Sequence, residues 1–305
     1  MALTTRLNYS EIEIHNEIMS TDVYLFASSE KFSKKEIKKD LEQGIEMFRS
    51  FEKRFSRFIE NNELFVFNNS ANLTTSGDLF EMLVLCKKFY KKTNGFFNPT
   101  IINTLINSGY SKNVQMLNDK IFSMDEILVD EKSKQISKPI DLNIDLGGIG
   151  KSFIVKRVSE FLSIKYDNYC VNAGGDMYLS GKDTLNNYPY WAIRIEDLET
   201  PTLIVRNKGI CTSGINRRKW VLNGQAKNHL IDPFKMDSVQ NEIVTATVVS
   251  SDVVEADVYA KCLVLMGLKN AQDFSKDKNI ASVIMTKGEE VFISSKAKKY
   301  VWKEN

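Results

Sequence analysis

The chain has 305 residues, of which 43% are apolar and 26% are charged, a composition typical of a globular protein with an ample hydrophobic core. Its 41 lysines and arginines nearly balance its 39 aspartates and glutamates, and no basic cluster indicates a nucleic-acid surface. The four cysteines lie far apart and only 2 histidines are present, so the composition argues against a structural zinc site.

The sequence contains no apolar run of about 18 residues, which a membrane-spanning helix needs. Its first residues lack the apolar segment of a signal peptide. We therefore expect a cytoplasmic protein with no membrane span and no nucleic-acid partner, unless a leader preceded the first residue of this numbering.

Hydrophobic spacing predicts the elements of the first hundred residues. A strand is predicted at 12–26, with an interruption near its middle, and apolar residues at every third or fourth position predict helices at 34–55 and 76–92. Asparagines punctuate 56–68, which is predicted as a loop, and 93–100 is predicted as a turn.

The most informative stretch lies in the middle of the chain. Alternating apolar residues predict a strand at 140–146, glycines occupy positions 147, 148 and 150, and helical spacing follows at 152–162. A glycine turn between a strand and a helix lets a ligand approach the backbone, and the free N–H groups at a helix start attract anions. The glycine spacing matches neither the dinucleotide fingerprint nor the P-loop, and a tight connection that binds no ligand remains the alternative.

Strands dominate the second half of the chain. They are predicted at 169–181, where a glycine pair splits the segment, at 190–196, at 202–207, at 245–250, and in a hairpin of 281–285 with 291–293. A basic hairpin at 217–220 is predicted to expose its arginines, with contact to phosphate or to a partner protein as the alternative. A helix is predicted at 251–266, ending at Gly267, and the polar residues 111–135 are predicted as a peripheral hairpin or loop. Because strands and helices mix without strict alternation and no linker divides the chain, we predict one α+β domain over 1–305.

Five motifs follow one another in a fixed order. They are Asn94-Gly-Phe-Phe-Asn98-Pro-Thr100, Asp145-Leu-Gly-Gly-Ile-Gly150-Lys151, Asn172-Ala-Gly-Gly-Asp176, Thr212-Ser-Gly214 with His229-Leu-Ile-Asp-Pro233, and Glu255-Ala-Asp257 with Met266-Gly267. This order resembles the ApbE-type flavin transferases, whose patterns are roughly G-x-F-D-P-T, D-L-G-G-I-A-K-G, N-x-G-G-D, T-S-G, H-I-I-D-P-x-T-G and A-D-A-x-A-T. The resemblance extends over nearly the whole chain and implies an ApbE-like, T-fold-related single compact unit.

The resemblance implies a concrete activity. Members of that family take FAD as substrate, use Mg²⁺, break the pyrophosphate and attach FMN to a threonine hydroxyl of a partner protein with release of AMP, while some members hydrolyse FAD to FMN and AMP. An FMN transferase is therefore the expected function. An FAD pyrophosphatase, and a non-catalytic homologue that binds FAD or another adenine nucleotide after losing its metal site, remain alternatives.

The resemblance also implies roles for individual residues. The family's metal ligands fall on the carbonyl of Gly150, on Asp257 and on Lys261, while Asp257 and His229 are the candidate catalytic residues. The flavin contacts fall on Met19, Phe58, Phe96, Phe97, Asn98, Gly147, Phe153, His229 and Ile231. The further candidate cofactor-binding residues are Lys151, Asn172, Gly174, Gly175, Asp176 and Ser213. The glycines let backbone amides come close to phosphate oxygens, and a structural role for Lys151 remains the alternative.

Four motifs depart from the family patterns. The metal-ligand threonine is Lys261, the motif aspartate is Asn98, and the glycine after the motif lysine is Ser152. In D-P-x-T-G both the threonine and the glycine are replaced, by Lys235 and Met236. A charged ammonium has no acceptor for Mg²⁺, and helical spacing makes Asp257 and Lys261 neighbours that can pair. We therefore expect weak or absent Mg²⁺ binding: the cation keeps fewer protein ligands, the charge of Lys261 replaces it, or the chain binds the flavin nucleotide without catalysis.

Overall fold

An eight-stranded antiparallel sheet forms the middle of the structure, a computed structural model that describes residues 9–110, 118–195, 201–216 and 218–303. The strands in chain order are β1 Ser10–Ile18, β2 Thr21–Ser29, β3 Asn72–Thr74, β4 Leu128–Asp130, β5 Gln135–Ser137, β6 Asn168–Ala173, β7 Asp176–Ser180, β8 Trp191–Ile193, β9 Leu203–Val205, β10 Lys208–Gly214, β11 Lys219–Leu222, β12 Gln225–Asn228, β13 Ile231–Asp232, β14 Asp237–Ser238, β15 Ile243–Ser250, β16 Ala281–Thr286 and β17 Val291–Ile293. In the large sheet they follow the order β1-β2-β6-β7-β10-β15-β16-β17, with antiparallel neighbours throughout. The remaining strands form small sheets of two or three strands.

Seven α-helices accompany the sheets in the described part of the chain. They are α1 Lys34–Phe55, α2 Glu63–Asn68, α3 Gly77–Lys92, α4 Ile102–Leu105, α5 Gly150–Ser163, α6 Val253–Met266 and α7 Leu268–Asp277. Helices α1, α5 and α6 contact the large sheet. In α1 a capping box of Ser33 and Glu36 satisfies the first N–H groups, and apolar side chains at every third or fourth position enter the core.

Helix α6 lies at the centre of this packing. It contacts β10, β15 and α5, and nearly all of its residues are buried, including Asp257. A helix buried on all sides is expected to be apolar all round. The charged side chains of Asp257 and Lys261 within it therefore need partners.

A second, smaller core involves the β8–β9 hairpin. Trp191 packs edge-on against Phe26 of the large sheet with 5.6 Å between ring centroids, and Leu203, Val283 and Ala297 belong to the same cluster. The larger core contains the buried residues of α1, α3, α5 and α6 and supports the cleft described below.

The α+β class is confirmed. The helices predicted at 34–55, 76–92, 152–162 and 251–266 correspond to α1, α3, α5 and α6, and the hairpin split by a glycine pair is β6–β7. The assignment of the whole chain to one domain stays a prediction. Among the described residues, no helix combines the length and the apolar character that crossing a bilayer requires.

Two elements of the first hundred residues differ from the prediction. The segment 12–26 is two strands, because Met19 and Ser20 take positive φ values of 58° and 54° and turn β1 back onto β2. The predicted loop 56–68 contains α2, which begins because the side chain of Asn62 accepts a hydrogen bond from the helix backbone at 2.8 Å.

The segment 140–146 is not a strand. Leu142, Ile144 and Leu146 are buried, as the alternating pattern predicts. The segment nevertheless pairs with no strand in the described structure. Instead, the amide of Asn68 donates to the carbonyl of Ile144 at 3.1 Å and accepts from its N–H at 2.9 Å. One side chain thus replaces the backbone of a neighbouring strand.

Some remaining predictions are refined and others fall outside the structure. Helix α7 follows Gly267 directly and was not predicted, and the basic hairpin is formed by β11 and β12. The predicted peripheral hairpin is β4–β5. Residues 1–8, 111–117, 196–200 and Arg217 lie outside the described residues, and the predictions made for them are not tested.

Candidate active site

A cleft lies between the start of α5, the end of α1, the β1–β2 turn and the C-terminal half of α6, and it encloses about 1310 Å³ including its open mouth. The predicted site residues that line it are Met19, Phe58, Phe96, Phe97, Asn98, Gly147, Gly150, Lys151, His229, Ile231 and Lys261. The predicted site residues that do not line it are Phe153, Asn172, Gly174, Gly175, Asp176, Ser213 and Asp257.

The first glycine turn forms one wall of the cleft. Its Asp145 carboxylate accepts hydrogen bonds from the N–H of Gly147 at 3.0 Å and from the Arg57 guanidinium at 3.1 Å. Helix α5 then begins at Gly150 with no side-chain cap and no acidic residue in its first turn. Because the first N–H groups of a helix have no partner within it, this start offers hydrogen-bond donors to an anion.

Four charged side chains form two ion pairs beside this helix start. Lys151 pairs with Asp176, and Lys261 pairs with Asp257. The aspartates are only 2% and 1% exposed, whereas both lysines line the cleft. Two ammonium groups therefore reach the cleft in front of two buried carboxylates, which suits a phosphate-bearing ligand.

Burial and the neighbouring charges shift the pKa values of three groups in these ion pairs. Burial raises the pKa of Asp176, but the charges of Lys151 and Lys261 outweigh it and hold that pKa below its usual range. For Asp257, burial together with the charge of Asp176 raises the pKa. Burial lowers the pKa of Lys151, yet the two carboxylates raise it more, so Lys151 stays a cation. Burial and the same carboxylates raise the pKa of Cys211 well above its usual value, which makes it an inert thiol.

The second glycine turn lies behind the cleft. Gly174 and Gly175 both take positive φ, and the side chain of Asn172 accepts a hydrogen bond from the N–H of Gly175 at 2.9 Å. Asp176 follows at once, so the turn holds the carboxylate that pairs with Lys151. The structure connects this motif to the cleft through that ion pair.

Three other predicted contacts are engaged within the protein. Phe153 is fully buried and stacks on a phenylalanine of α1 with 6.0 Å between ring centroids. Ser213 is buried in β10. Asn98 donates to the carbonyl of Phe122 at 2.9 Å and accepts from the N–H of Thr100 at 3.0 Å. An ionised aspartate at this position has no proton for that carbonyl, which gives the departure from the family motif a local reason.

His229 has a nitrogen without a partner. Its Nδ1 is buried and makes no hydrogen bond within the described structure. Burial, followed by the positive charges of Arg218 and Lys261, lowers the pKa of His229 to about 4. The imidazole is therefore neutral at physiological pH, and Nδ1 is an unpaired hydrogen-bonding atom in a residue that lines the cleft.

Aromatic rings and arginines surround the mouth of the cleft. Phe58 is 73% exposed beneath the guanidinium of Arg57, whose carbon also lies 4.8 Å from the ring centroid of Tyr110. Arg218 donates to the Tyr110 hydroxyl at 2.7 Å. Sequence patterns do not single out Arg57 or Tyr110, although Arg57 directly precedes a predicted flavin contact. Such flat groups suit stacking against the rings of a nucleotide.

The residues at the family's metal position do not fit Mg²⁺. One oxygen of Asp257 is taken by the ammonium of Lys261, and the other accepts from the hydroxyl of Ser152 at 2.7 Å. Mg²⁺ demands near-octahedral oxygen ligands, and an ammonium supplies none. Across the described ranges, no group of three or more His, Cys, Asp or Glu side chains gathers that could hold a metal ion. The expected weakness of Mg²⁺ binding stays a prediction, which this geometry supports.

The sheet, the glycine turn and the cleft define a protein with the ApbE fold. The ApbE protein from Thermotoga maritima aligns with 96% of this chain and 100% of its own, with a TM-score of 0.85 at 21% identity. The flavin transferase ApbE from Vibrio cholerae aligns over the same shares of the two chains, with a TM-score of 0.81 at 19% identity. At these identities the likeness shows the fold.

Sequence comparison then gives the family. The model of the ApbE family matches residues 16–284, so the chain belongs to the ApbE family, and the resemblance found in its motifs is confirmed. One curated relative is the FAD:protein FMN transferase of Buchnera aphidicola subsp. Schizaphis graminum, 26% identical over 267 residues that cover 79% of this chain and 77% of the relative. Another is the FAD:protein FMN transferase of Chlamydia muridarum, 26% identical over 280 residues that cover 83% and 84%.

Proposed function

We propose that this chain is an FAD:protein FMN transferase, which takes FAD and an acceptor protein as substrates and releases AMP. The acceptor atom in this proposal is the hydroxyl oxygen of a threonine. The observation that carries the proposal is the cleft itself, where the uncapped start of α5 meets the ammonium groups of Lys151 and Lys261 beneath a rim of aromatic rings. Membership of the ApbE family and the names of the curated relatives support it.

The cleft suits the two chemically different parts of FAD. The pyrophosphate takes donors from the first N–H groups of α5 and charge from Lys151 and Lys261, while Gly147 lets the backbone approach its oxygens. The flat isoalloxazine ring packs against Phe58 and Phe96 near the mouth. Asp257, predicted as catalytic, contributes here by holding Lys261 in place.

The reaction is a substitution at phosphorus. The threonine oxygen attacks the phosphorus atom of the FMN half, the bond from that phosphorus to the bridging oxygen breaks, and the bridging oxygen leaves with AMP. His229 accepts the hydroxyl proton through its unpaired nitrogen. The negative charges of bound FAD raise the pKa of His229 from about 4 toward neutrality, which improves it as a base. Lys151 and Lys261 stabilise the charge that develops on the departing phosphate.

Incubation of the chain with FAD and a threonine-bearing acceptor protein tests the proposal. We expect AMP and acceptor-bound flavin in equal amounts, measured by chromatography and by flavin fluorescence of the denatured acceptor. An acceptor whose target threonine is replaced by valine is the control and takes up no flavin. AMP without protein-bound flavin would identify an FAD pyrophosphatase, and FAD binding without AMP a non-catalytic nucleotide-binding protein; either result contradicts the proposal.

The cytoplasmic location expected from the sequence belongs to the proposal as well. It requires an acceptor protein in the same compartment. Fractionation of cells that carry the full-length protein tests it, and recovery of the protein outside the cytoplasm would contradict it.

A further inference from the structure

Two departures from the family patterns meet at one carboxylate. Lys261 stands where the family has threonine, and Ser152 stands where it has glycine. The ammonium of Lys261 pairs with one oxygen of Asp257. The hydroxyl of Ser152 lies 2.7 Å from the other oxygen and 2.9 Å from the carbonyl of Ile149, and the shorter distance is the one to the carboxylate. Two departures far apart in the sequence thus place hydrogen-bond donors at the same carboxylate. Random loss of metal ligands would not be expected to produce such a pair.

We infer that the ammonium of Lys261 is a built-in cation that replaces Mg²⁺, so that this chain binds FAD without a divalent metal. The same ammonium then serves the cleavage of the pyrophosphate, and this second half of the inference rests on the proposed function. The bonds formed and broken are those of the substitution at phosphorus given above, and no further reactant is needed.

The surroundings of Asp257 exclude a divalent ion while both donors are in place. Asp257 is 1% exposed and does not line the cleft, whereas Lys261 does. A metal ion that approached the carboxylate would have to displace the ammonium or lie beside it, and two cations within a few ångströms of each other repel strongly in a buried site. The charge within reach of a phosphate is therefore that of Lys261.

The balance of charge also suits FAD without a metal. Lys151 and Lys261 neutralise Asp176 and Asp257, and the two ammonium groups lie on the cleft side of the cluster. An ammonium has three N–H donors, so each lysine can hold its aspartate and still donate to a phosphate oxygen. The cluster has no net charge, and a pyrophosphate therefore meets the N–H donors of the two ammonium groups and of the start of α5, with the carboxylates behind them.

Metal binding and FAD binding by the full chain test the inference without relying on activity. Electron paramagnetic resonance of free Mn²⁺ measures retention of the ion, and calorimetry measures FAD affinity in EDTA and in Mg²⁺. We expect wild type to retain no stoichiometric Mn²⁺ and to bind FAD equally in both buffers. The double variant Ser152→Gly with Lys261→Thr, which restores the family residues, is expected to retain Mn²⁺ and to bind FAD more tightly with Mg²⁺ than with EDTA.

Removal of the charge alone gives a second readout. Lys261→Met keeps the apolar stem and is expected to weaken FAD binding about tenfold in both buffers, as loss of a hydrogen bond to a charged group does. Lys269→Met, at an exposed position of α7, is the matched control and leaves the affinity unchanged. If Lys261→Met binds FAD as tightly as wild type, the ammonium makes no contact with the nucleotide and the inference is wrong.

The transferase assay, run in EDTA and in Mg²⁺, separates this inference from the proposed function. AMP release at the same rate in both buffers supports both. AMP release that occurs only with Mg²⁺, or retention of Mn²⁺ by wild type, overturns the inference and leaves the proposed function standing. Metal-independent FAD binding with no AMP in either buffer supports the built-in cation in binding and overturns the proposed function.

Discussion

His229 combines a buried nitrogen without a partner with a pKa lowered to about 4, chiefly by burial. A base must be neutral to accept a proton, so activity is lost as the pH falls through its pKa. We expect kcat/KM for FAD to stay flat through neutral pH and to fall only as the pH approaches about 4. A histidine with an ordinary pKa would place that fall near about 6.5.

The variant His229→Gln extends this test. We expect it to bind FAD with nearly wild-type affinity and to release AMP about a hundredfold more slowly, because it keeps the shape of the side chain but cannot take up the proton. Circular dichroism along the same pH series separates loss of the base from unfolding. Full activity of His229→Gln, or an acid limb near about pH 6.5 in wild type, would contradict the role assigned to His229.

Lys138 is a second buried titratable residue, and it stabilises the segment that leads into the first glycine turn. It is 5% exposed, and its ammonium donates to the carbonyl of Leu142 at 2.7 Å, just before the turn. Burial lowers its pKa to about 8, whereas the unfolded chain keeps the usual value of about 10.4. Between these values the unfolded state binds more protons, so the contribution of Lys138 to stability rises with pH.

The substitution Lys138→Met removes this dependence. We compare the free energies of unfolding of wild type and variant at each pH. The difference, wild type minus variant, is expected to increase by about 2 kcal/mol from about pH 8 to about pH 10, as the two pKa values require. Urea denaturation at several pH values measures it. Lys132→Met, at an exposed position six residues earlier, is the control and shows no such trend. A difference that stays constant with pH would show that Lys138 titrates normally.

Among the elements, the β6–β7 turn places Asp176 by packing tightly against the β1–β2 turn. Gly174 has φ of +64°, and a Cβ atom there would lie 2.1 Å from the hydroxyl of Thr21. Gly224 in the β11–β12 turn has a similar φ of +76°, but a Cβ atom there would meet nothing within 4 Å. Substitutions at these two glycines therefore distinguish the cost of backbone strain from the cost of steric overlap.

We expect Gly224→Ala to lower the free energy of unfolding by about 1 kcal/mol, from strain alone. Gly174→Ala adds a steric clash and is expected to lower it by about 3 kcal/mol or more. Urea denaturation measures both, and FAD affinity should fall only for Gly174→Ala, because only that turn holds the partner of Lys151. Equal losses in the two variants would mean that the turns do not pack as the structure shows.

The secondary-structure elements also show which parts of the fold can be predicted from the sequence. Helices α1 and α3 are predicted with their bounds because their periodicity and caps are local signals. The interruption at the β1–β2 turn is predicted, but the reversal of the chain there is not, because Met19 and Ser20 are unusual residues for positive φ. In 140–146 the burial of Leu142, Ile144 and Leu146 is predicted correctly, but Ile140 is 60% exposed. The strand is not formed, because the partner of Ile144 is the side chain of Asn68, 76 positions away. Contacts of that kind leave no periodic trace.

Contacts between residues distant in the chain are the part of the site that cannot be predicted from the sequence. The charged cluster joins partners that are 25 and 105 positions apart in the chain, so their pairing follows from the fold and from no motif. The resemblance gave the candidate residues, and Gly150, Lys151 and Lys261 do line one cleft. It did not show that Ser152 and Lys261 act on the same carboxylate.

Because the cleft draws on segments from both halves of the chain, bound FAD should stabilise the entire fold. At about 100 times its dissociation constant, a ligand that binds only the native state adds about 2.7 kcal/mol, which for a chain of this size raises Tm by about 5 °C. We expect that rise with FAD in EDTA, measured by calorimetry. Riboflavin at the same molar concentration lacks the phosphates that reach Lys151, Lys261 and the start of α5, so it should give a smaller rise. An equal rise would mean that the pyrophosphate makes no favourable contact with these groups.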